Sequence, residues 1–231
     1  MNVLYVIPAR GGSKGIPYKN VKELDGKPLI YYSIDVARSL TADEHICLSS
    51  DDDLILKVAL DYGLNVPFKR PDHLATDHVG TYEVLLHAIQ YYEGIGRHYD
   101  LIVLLQPTSP FRQKKHIEEA IALWNPEVEM IVSVKEAGSN PYYNSFEENG
   151  DGYLRISKGD GLLERRQDAP KAWEYNGSIY VIGVAALKMR NMSEFTKVKK
   201  YQMDDIYSVD IDNMFNWKVA ELMLREHMIE L

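Results

Sequence analysis

The feature that most constrains the fold is an apolar run in the middle of the chain, Leu101-Ile102-Val103-Leu104-Leu105. The run shows no alternation of apolar and polar residues, so a strand built from it is apolar on both faces. Strands of this kind occur at the centre of parallel sheets, where helices cover both faces. The run therefore predicts a central strand of an α/β protein.

Strand-like and helix-like segments alternate on either side of this run. Strands are predicted at 3–7, 46–48, 65–68, 130–134, 178–182 and 209–212. Helices are predicted at 29–40, 53–62, 81–92 and 214–228, and a further helix that follows the central strand is predicted to end at about 124. Alternation of this kind is typical of βαβ units with parallel strands. We therefore predict an α/β fold with a doubly wound, mostly parallel, Rossmann-like sheet.

The alternation stops between residues 135 and 175, where Asn, Gly, Asp and Lys are frequent and long apolar runs are few. This composition predicts an excursion from the main sheet. Because such a segment buries little by itself, we expect it to dock against a second copy of the chain in a homodimer. The predicted organisation is a domain formed by 1–134 and 176–231, with an inserted arm at 135–175.

Charge and cysteine content restrict the function classes and the compartment. The net charge of -8 argues against a general nucleic-acid binder. The single cysteine, Cys47, lies in an apolar run and has no disulfide partner, which fits a core position in a reducing cytoplasm. Because no apolar run approaches membrane-spanning length and the chain enters a strand at once, we expect neither a signal peptide nor a transmembrane helix.

A basic, glycine-rich loop follows the first predicted strand, from Ala9 to Asn20. Its glycines, at 11, 12 and 15, permit positive φ and let backbone N–H groups approach a ligand. Three cations, Arg10, Lys14 and Lys19, add positive charge. The loop matches neither the P-loop spacing nor the dinucleotide fingerprint GxGxxG. It predicts a site for a multiply charged anion such as a triphosphate, with a plain surface turn as the alternative.

Polar residues follow two of the predicted strands. The central strand ends at 106–110, which leaves Gln106, Thr108, Ser109 and Arg112 at its carboxyl end, where open α/β sheets bind ligands. The acidic cluster at 51–53 follows the second strand and precedes a helix. We interpret that cluster as a helix start in preference to a metal site.

Two aspartates near the C-terminus, Asp210 and Asp212, stand two residues apart. On a strand they would face the same side and could share one Mg²⁺ ion. An acidic edge strand with Val209 and Ile211 facing the core is the alternative, and the residues alone leave the two open.

Four segments together resemble one family, the cytidylyltransferases that activate nonulosonic acids, with the acylneuraminate (CMP-sialic acid) synthetases as the type. They are IPARGGSKGIPYKN (7–20), LLQPTSPFR (104–112), RRQDAPKAWEYNGSIYV (165–181) and SVDIDN (208–213). The resemblance implies a nucleotidyltransferase fold with a dimerisation arm. It also implies a reaction in which CTP, as co-substrate, and a sugar acid give the CMP-sugar and pyrophosphate, with Mg²⁺ or another divalent cation as cofactor.

The resemblance further implies roles for individual residues. Arg10, Lys14 and Lys19 would be the catalytic cations that hold the triphosphate. The nucleotide site would comprise Ala9, Arg10, Gly11, Gly12, Ser13, Lys14, Lys19, Asn20, Arg70 and Thr81, the sugar site Gln106, Arg166, Gln167 and Tyr180, and the metal site Asp210 and Asp212. Lys19 is expected to be the most sensitive and, as an exposed loop residue, to contribute little to stability.

The chain departs from typical sialic acid enzymes at two places. Residues 140–144 stand where many have a lysine reaching the sugar, and Glu174 stands where several have arginine. Together with the segment 165–171, these two departures resemble the legionaminate-type branch of the family more closely. Arg165 and Arg166 have a second interpretation, as a solvated pair at the dimer contact. The alternative functions are a cytidylyltransferase for an eight-carbon 2-keto acid or a sugar phosphate, and a non-catalytic nucleotide-sugar-binding module.

Overall fold

The computed structural model describes residues 1–13, 15–76 and 79–230. The strands are β1 (Val3–Pro8), β2 (Glu23–Leu24), β3 (Lys27–Pro28), β4 (Ile46–Ser49), β5 (Leu101–Leu105), β6 (Met130–Glu136), β7 (Phe146–Glu148), β8 (Leu154–Ile156), β9 (Trp173–Gly183) and β10 (Val198–Gln202). The α-helices are α1 (Leu29–Arg38), α2 (Asp53–Asp61), α3 (Thr81–Gly94), α4 (Lys114–Ala122), α5 (Val184–Met189) and α6 (Met214–Arg225).

The main sheet has six strands in the order β10-β6-β9-β5-β1-β4. β1 pairs in parallel with both β4 and β5, and β10 pairs in parallel with β6. Only β9 among these six runs antiparallel to its neighbours, β5 and β6. The prediction of a mostly parallel α/β sheet is confirmed.

The apolar run of β5 is buried on both faces, as its sequence predicted. Leu101, Val103 and Leu105 belong to a core cluster that includes side chains from α1, α2 and α4. Ile102 and Leu104 belong to the opposite cluster, with side chains from α3 and α5. Helices therefore cover both faces, which makes the sheet doubly wound and explains why β5 carries no polar residue.

A third apolar cluster joins the segments that carry the sequence motifs. Trp217 of α6 is fully buried in it, together with Ile16 from the loop after β1, Phe111 from the loop after β5, and Ile211. These four residues come from distant parts of the chain. The cluster therefore holds the loop after β1, the loop after β5 and the C-terminal segment against one another.

Two predicted strands are absent from the described structure. Residues 65–68 have no regular structure, because Pro67 lacks the N–H that a strand ladder needs, and β4 is the edge of the sheet on that side. Residues 209–212 are also irregular, and Ile211 N donates to Thr108 O at 2.8 Å. That bond ties the segment to the loop after β5.

The excursion from the main sheet contains a small hairpin. β7 and β8 pair antiparallel with each other only, within the described part of the chain. β6 and β9 remain paired as far as Glu136 opposite Trp173, so the residues between the paired strands are 137–172. The segment thus leaves and re-enters through two neighbouring strands.

Two sequence expectations about single features can be compared directly with the fold. Cys47 is fully buried in β4, and burial raises the pKa of its thiol to about 12, so the predicted core role is confirmed.

Among the described residues, the helices are all too short or too polar to span a bilayer.

Glu129, just before β6, clamps the edge of the sheet and predicts a pH dependence of stability. Its Oε2 accepts from Thr196 N and Lys197 N at 2.8 Å each, and Arg190 Nε donates to Oε1 at 3.0 Å. The Arg190 hydrogen bond, followed by the backbone donors, lowers the pKa of Glu129 to about 2. The unfolded chain has the ordinary glutamate pKa of about 4.3, so this stabilisation is present above that pH and is lost as the pH falls towards 2.

We therefore expect Glu129→Gln to lower the free energy of unfolding near neutral pH, with a difference from wild type that shrinks as the pH falls below about 4.3. Urea unfolding at stepped pH measures it. The exposed Glu127→Gln serves as the control and should show no such convergence. A difference for Glu129→Gln that is independent of pH would contradict the assignment.

Candidate active site

The candidate site lies where the connections from β1 reverse direction. The chain leaves β1 for β4 on one side, and later returns to β5 on the other side of β1. Loops at the carboxyl ends of such strands diverge and leave a crevice. A cleft of about 540 Å³ occupies this place, and its lining includes eight of the predicted site residues: Arg10, Ser13, Lys19, Asn20, Arg70, Thr81, Gln106 and Asp212.

Two glycines of the loop after β1 lie so close to neighbouring segments that a side chain would not fit. A Cβ on Gly11 would lie 2.4 Å from Asp52 Oδ2, and a Cβ on Gly15 would lie 2.0 Å from Asp212 O. Gly11 and Gly12 do not use the positive φ that glycine permits, whereas Tyr18 in the same loop does, with φ 53. The loop is thus packed between the exit of β4 and residue 212.

The exit of β4 supports the loop through its acidic cluster. Gly11 N donates to Asp51 Oδ1 at 3.3 Å. Asp52 caps α2, since its Oδ1 accepts from Leu54 N at 2.9 Å and from Ile55 N at 3.0 Å. The interpretation of this cluster as a helix start is confirmed.

Lys19 is buried, which corrects the expectation of an exposed loop lysine. The residue is only 9% exposed. Its Nζ donates to Ile211 O at 2.6 Å and lies 3.6 Å from Asp212 Oδ1. Lys19 therefore links the loop after β1 to the C-terminal segment, and both contribute to one cleft.

Arg70 and Asn20 are held in place by backbone and side-chain contacts. Asn20 Nδ2 donates to Arg10 O at 3.0 Å, and Arg70 Nε donates to Ser49 Oγ at 3.0 Å. Arg70 is only 4% exposed, and this burial lowers the pKa of its guanidinium. Because Ser49 ends β4, the guanidinium of Arg70 is fixed relative to the sheet.

Several residues predicted for the nucleotide site lie apart from the cleft surface. Ala9 is fully buried in the core, and its N donates to Ser49 O at 2.9 Å. Gly11 and Gly12 do not line the cleft formed by the described residues. Lys14 lies outside the described residues.

Three of the four predicted sugar-site residues are also away from the cleft of the same chain. Arg166 is exposed and its Nη2 donates to Ala137 O at 3.2 Å, while Gln167 is exposed on the same segment. Tyr180 is half-buried beside the core, where burial and then the charge of Asp210 raise its pKa to about 12. Gln106 alone of the four lines the cleft.

The two aspartates predicted as metal ligands differ in exposure. The side chain of Asp212 is 72% exposed and lines the cleft, whereas Asp210 lines an adjoining cavity of about 380 Å³. Asp210 Oδ1 is buried and has no hydrogen-bond partner within the described part of the chain. Burial, followed by the charge of Asp212, raises the pKa of Asp210. No group of three or more His, Cys, Asp or Glu side chains suited to a metal occurs among residues 1–13, 15–76 and 79–230.

Asn176 organises the wall beside Asp210, a role that the sequence analysis missed. Its Oδ1 accepts from Ser133 Oγ at 2.6 Å, and its Nδ2 donates to Ser208 Oγ at 2.9 Å. The next residue, Gly177, has φ 71, and a Cβ there would lie 3.3 Å from Asp210 Oδ2. The available signal was the Asn-Gly pair itself, which marks a turn or irregularity and stands directly before the strand predicted at 178–182.

Comparison with known proteins places the chain in a family. The sequence profile of the family described as Cytidylyltransferase matches residues 4–224. The chain belongs to the cytidylyltransferase family. The match includes most of β1, the glycine-rich loop and most of α6, so it covers the segments that line the cleft. The predicted family resemblance is confirmed, and this cytidylyltransferase is a nucleotidyltransferase enzyme.

Individual relatives of this cytidylyltransferase cover nearly its whole length. It is 33% identical over 226 residues to CMP-N,N'-diacetyllegionaminic acid synthase of Legionella pneumophila, with 97% of each chain covered. It is 32% identical over 231 residues to post-translational flagellin modification protein B of Campylobacter coli, covering 99% of this chain and 97% of that protein. A solved structure of CMP:2-keto-3-deoxy-manno-octonic acid synthetase with CTP has the same fold, with a TM-score of 0.67, 17% identity, and coverage of 98% of this chain and 100% of that one.

Proposed function

We propose that this cytidylyltransferase joins CTP and a nonulosonic acid to give the CMP-sugar and pyrophosphate. The observation that carries the proposal is the meeting of Lys19 and Asp212, 3.6 Å apart, in a cleft that Arg10 and Arg70 also line. Cations and a carboxylate facing one space suit a metal-bound triphosphate. The similarity to the legionaminic acid synthase of Legionella pneumophila supports a nine-carbon sugar acid as the acceptor.

The cations of the cleft would stabilise charge during phosphoryl transfer. Arg10 and Lys19, with Lys14 by its place in the motif, would hold the triphosphate, and Asn20, Arg70 and Thr81 the nucleoside. The anomeric hydroxyl of the sugar acid would attack the α-phosphorus and lose its proton to water, while the bond from the α-phosphorus to the oxygen bridging the α- and β-phosphates breaks and pyrophosphate leaves. Such a reaction requires mainly in-line positioning and compensation of negative charge, which these residues supply.

Asp210 and Asp212 would hold the divalent cation, Mg²⁺ or another. The residues fit such an ion, because Asp210 Oδ1 is buried without a hydrogen-bond partner in the described structure, and Mg²⁺ prefers carboxylate oxygens. When bound, the ion would polarise the phosphate oxygens and offset their charge. Asp210 and Asp212 flank Ile211, whose carbonyl accepts from Lys19 Nζ, and this contact would keep both aspartates beside the triphosphate.

We expect Asp212→Asn to raise the Mg²⁺ concentration at half-maximal activity about tenfold or more, because one of two carboxylate ligands is lost. The rise in melting temperature caused by Mg²⁺ with CTP, in the absence of acceptor, should shrink in parallel. Asp204→Asn, an exposed aspartate just upstream, is the matched control. An unchanged metal titration in Asp212→Asn would remove this residue from the site.

The acceptor is identified by measuring pyrophosphate release and the mass of the product. The assay supplies CTP, Mg²⁺ and one acceptor at a time: legionaminic, sialic, deaminated sialic and pseudaminic acid, an eight-carbon 2-keto acid, and a sugar phosphate. We expect a CMP-sugar only with the nine-carbon acids, and most rapidly with legionaminic acid. Turnover confined to the last two acceptors, or absent with all six in folded protein, would contradict the proposal.

We infer that the enzyme acts as a homodimer in the cytoplasm. The segment 137–172 exposes large apolar side chains, with Phe146 54%, Tyr153 71%, Leu154 67% and Leu162 79% exposed. Docking of this segment on a second copy would cover them. It is also the arrangement that would bring Arg166 and Gln167 to a cleft, where with Gln106 and Tyr180 they would bind the sugar acid. Analytical ultracentrifugation tests the dimer, and a monomer at micromolar concentration would contradict it.

A further inference from the structure

Arg112 lies beneath the candidate site, although its place after β5 predicted a residue facing ligands. It is 2% exposed and does not line the nucleotide cleft formed by the described residues. It follows Phe111, which is fully buried in the third apolar cluster. The loop after β5 therefore turns this side chain inward.

The guanidinium of Arg112 connects three parts of the fold. Nε donates to Ser109 O at 3.2 Å and Nη2 donates to Gln106 O, so two carbonyls of the loop after β5 are held. Nη1 donates to Ser178 O of β9 at 3.3 Å, and Nη2 donates to Ser33 Oγ of α1 at 3.1 Å. Because the guanidinium fork is rigid and planar, these acceptors are fixed relative to one another.

A buried guanidinium of this kind is costly to the folded state. Arg112 has no carboxylate within ion-pair distance among the described residues, and its partners are carbonyls and a hydroxyl. Burial lowers the pKa of Arg112 to about 9, an effect that the charge of Asp210 partly offsets. A well-packed apolar side chain is often at least as stabilising in a buried position, so stability alone does not account for arginine here.

Two of the carbonyls that Arg112 holds, those of Gln106 and Ser109, lie on either side of Thr108 in the chain, and Thr108 lines the cleft. Thr108 O accepts from Ile211 N at 2.8 Å, and Ile211 O accepts from Lys19 Nζ at 2.6 Å. On the β9 side, Ser178 follows Gly177, which packs against the carboxylate of Asp210. A single chain of contacts thus runs from Arg112 to the cleft lysine and to the two aspartates.

We propose that Arg112 is a positioning residue, which sets where the loop after β5 and the segment 210–212 stand relative to the nucleotide. The proposal rests on the proposed function in that the aspartates of this segment hold the metal-nucleotide. A shift of about 1 Å in such groups costs about 10²-fold in rate. Because Arg112 does not line the cleft formed by the described residues, its action on the nucleotide runs through Thr108 and Ile211.

The test is Arg112→Lys, which keeps the charge and loses the fork. We expect kcat to fall about 10²-fold, with a smaller change in the KM for CTP. The rise in melting temperature caused by Mg²⁺ with CTP should also shrink, a readout that needs no acceptor. Glu129→Gln is the control, because it removes a clamp at the distant edge of the sheet and should lower the melting temperature with kcat and the Mg²⁺-CTP shift unchanged.

Ser33→Ala keeps the test decisive if Arg112→Lys fails to fold, since it removes one partner of Nη2 and leaves the arginine in place. We expect a several-fold lower kcat and a smaller Mg²⁺-CTP shift. Normal kcat and a normal shift in every variant that folds would overturn the proposal and leave Arg112 a purely structural residue. Failure of the wild-type protein to use any acceptor would count against the proposed function alone, because the Mg²⁺-CTP shift would still report positioning.

Discussion

Lys19→Ala is expected to lower kcat/KM about 10²- to 10³-fold, the range seen when one preorganised donor to a developing negative charge is removed. The variant should also unfold more readily, by about 1–3 kcal/mol, because Ile211 O loses its buried donor. This second expectation follows from the structure, since an exposed lysine would contribute little. Steady-state kinetics with CTP varied, together with urea unfolding, measure the two effects.

Lys22→Ala is the matched control for the loop charge. Lys22 is exposed, three residues further along, and its ammonium lies over the Trp217 ring at 5.2 Å from the centroid instead of in the cleft. We expect kcat/KM within about twofold of wild type, because a cation outside the cleft does not contact the triphosphate. Equal kinetic losses in Lys19→Ala and Lys22→Ala would show that only net loop charge matters, and would contradict the role given to Lys19.

Gly15→Ala is expected to reduce kcat/KM at least about 10²-fold, because the loop after β1 must move. The new Cβ would stand 2.0 Å from Asp212 O, which is a backbone atom and cannot rotate away. Either the loop or the segment at 212 must shift, and the distance between Lys19 and Asp212 changes with it. Kinetics with CTP and Mg²⁺ varied in turn detect the displacement as a loss of both nucleotide and metal binding.

Gly12→Ala provides a control in the same loop. Among the residues that the structure describes, a Cβ on Gly12 would have no heavy atom within 4 Å beyond its chain neighbours, and the φ of Gly12 is not in the left-handed region. We expect near wild-type kinetics and melting temperature. If Gly12→Ala were as damaging as Gly15→Ala, backbone freedom and not close approach would be the reason for the glycines.

Patterns that depend on neighbouring residues were read correctly from the sequence. The run of β5 is apolar on both faces because helices cover both, and Asp52 caps α2 because the first turn of a helix has unpaired N–H groups. The family motifs also identified the cleft residues Arg10, Lys19 and Asp212. In each case the pattern that supports the prediction lies within a few residues of the predicted feature, or within one short sequence motif.

Features that depend on distant contacts were not predicted. Residues 65–68 and 209–212 carry strand-like patterns, but whether a strand forms depends on a free partner edge. The burial of Lys19 follows from its bond to Ile211, a residue 192 positions away. The inward turn of Arg112 and the network of Asn176 likewise depend on partners from separate elements.

The sequence by itself determined the fold class, the family and the loops that carry the charged residues, because periodicity, caps and motifs are local properties. Only the tertiary structure decided which charges are buried, which loop glycines have no room for a Cβ, and that Lys19 meets Asp212. The physical reason is that burial and close approach are set by the packing of segments far apart in the chain, and the cost of desolvating a charge or crowding a backbone depends on those neighbours.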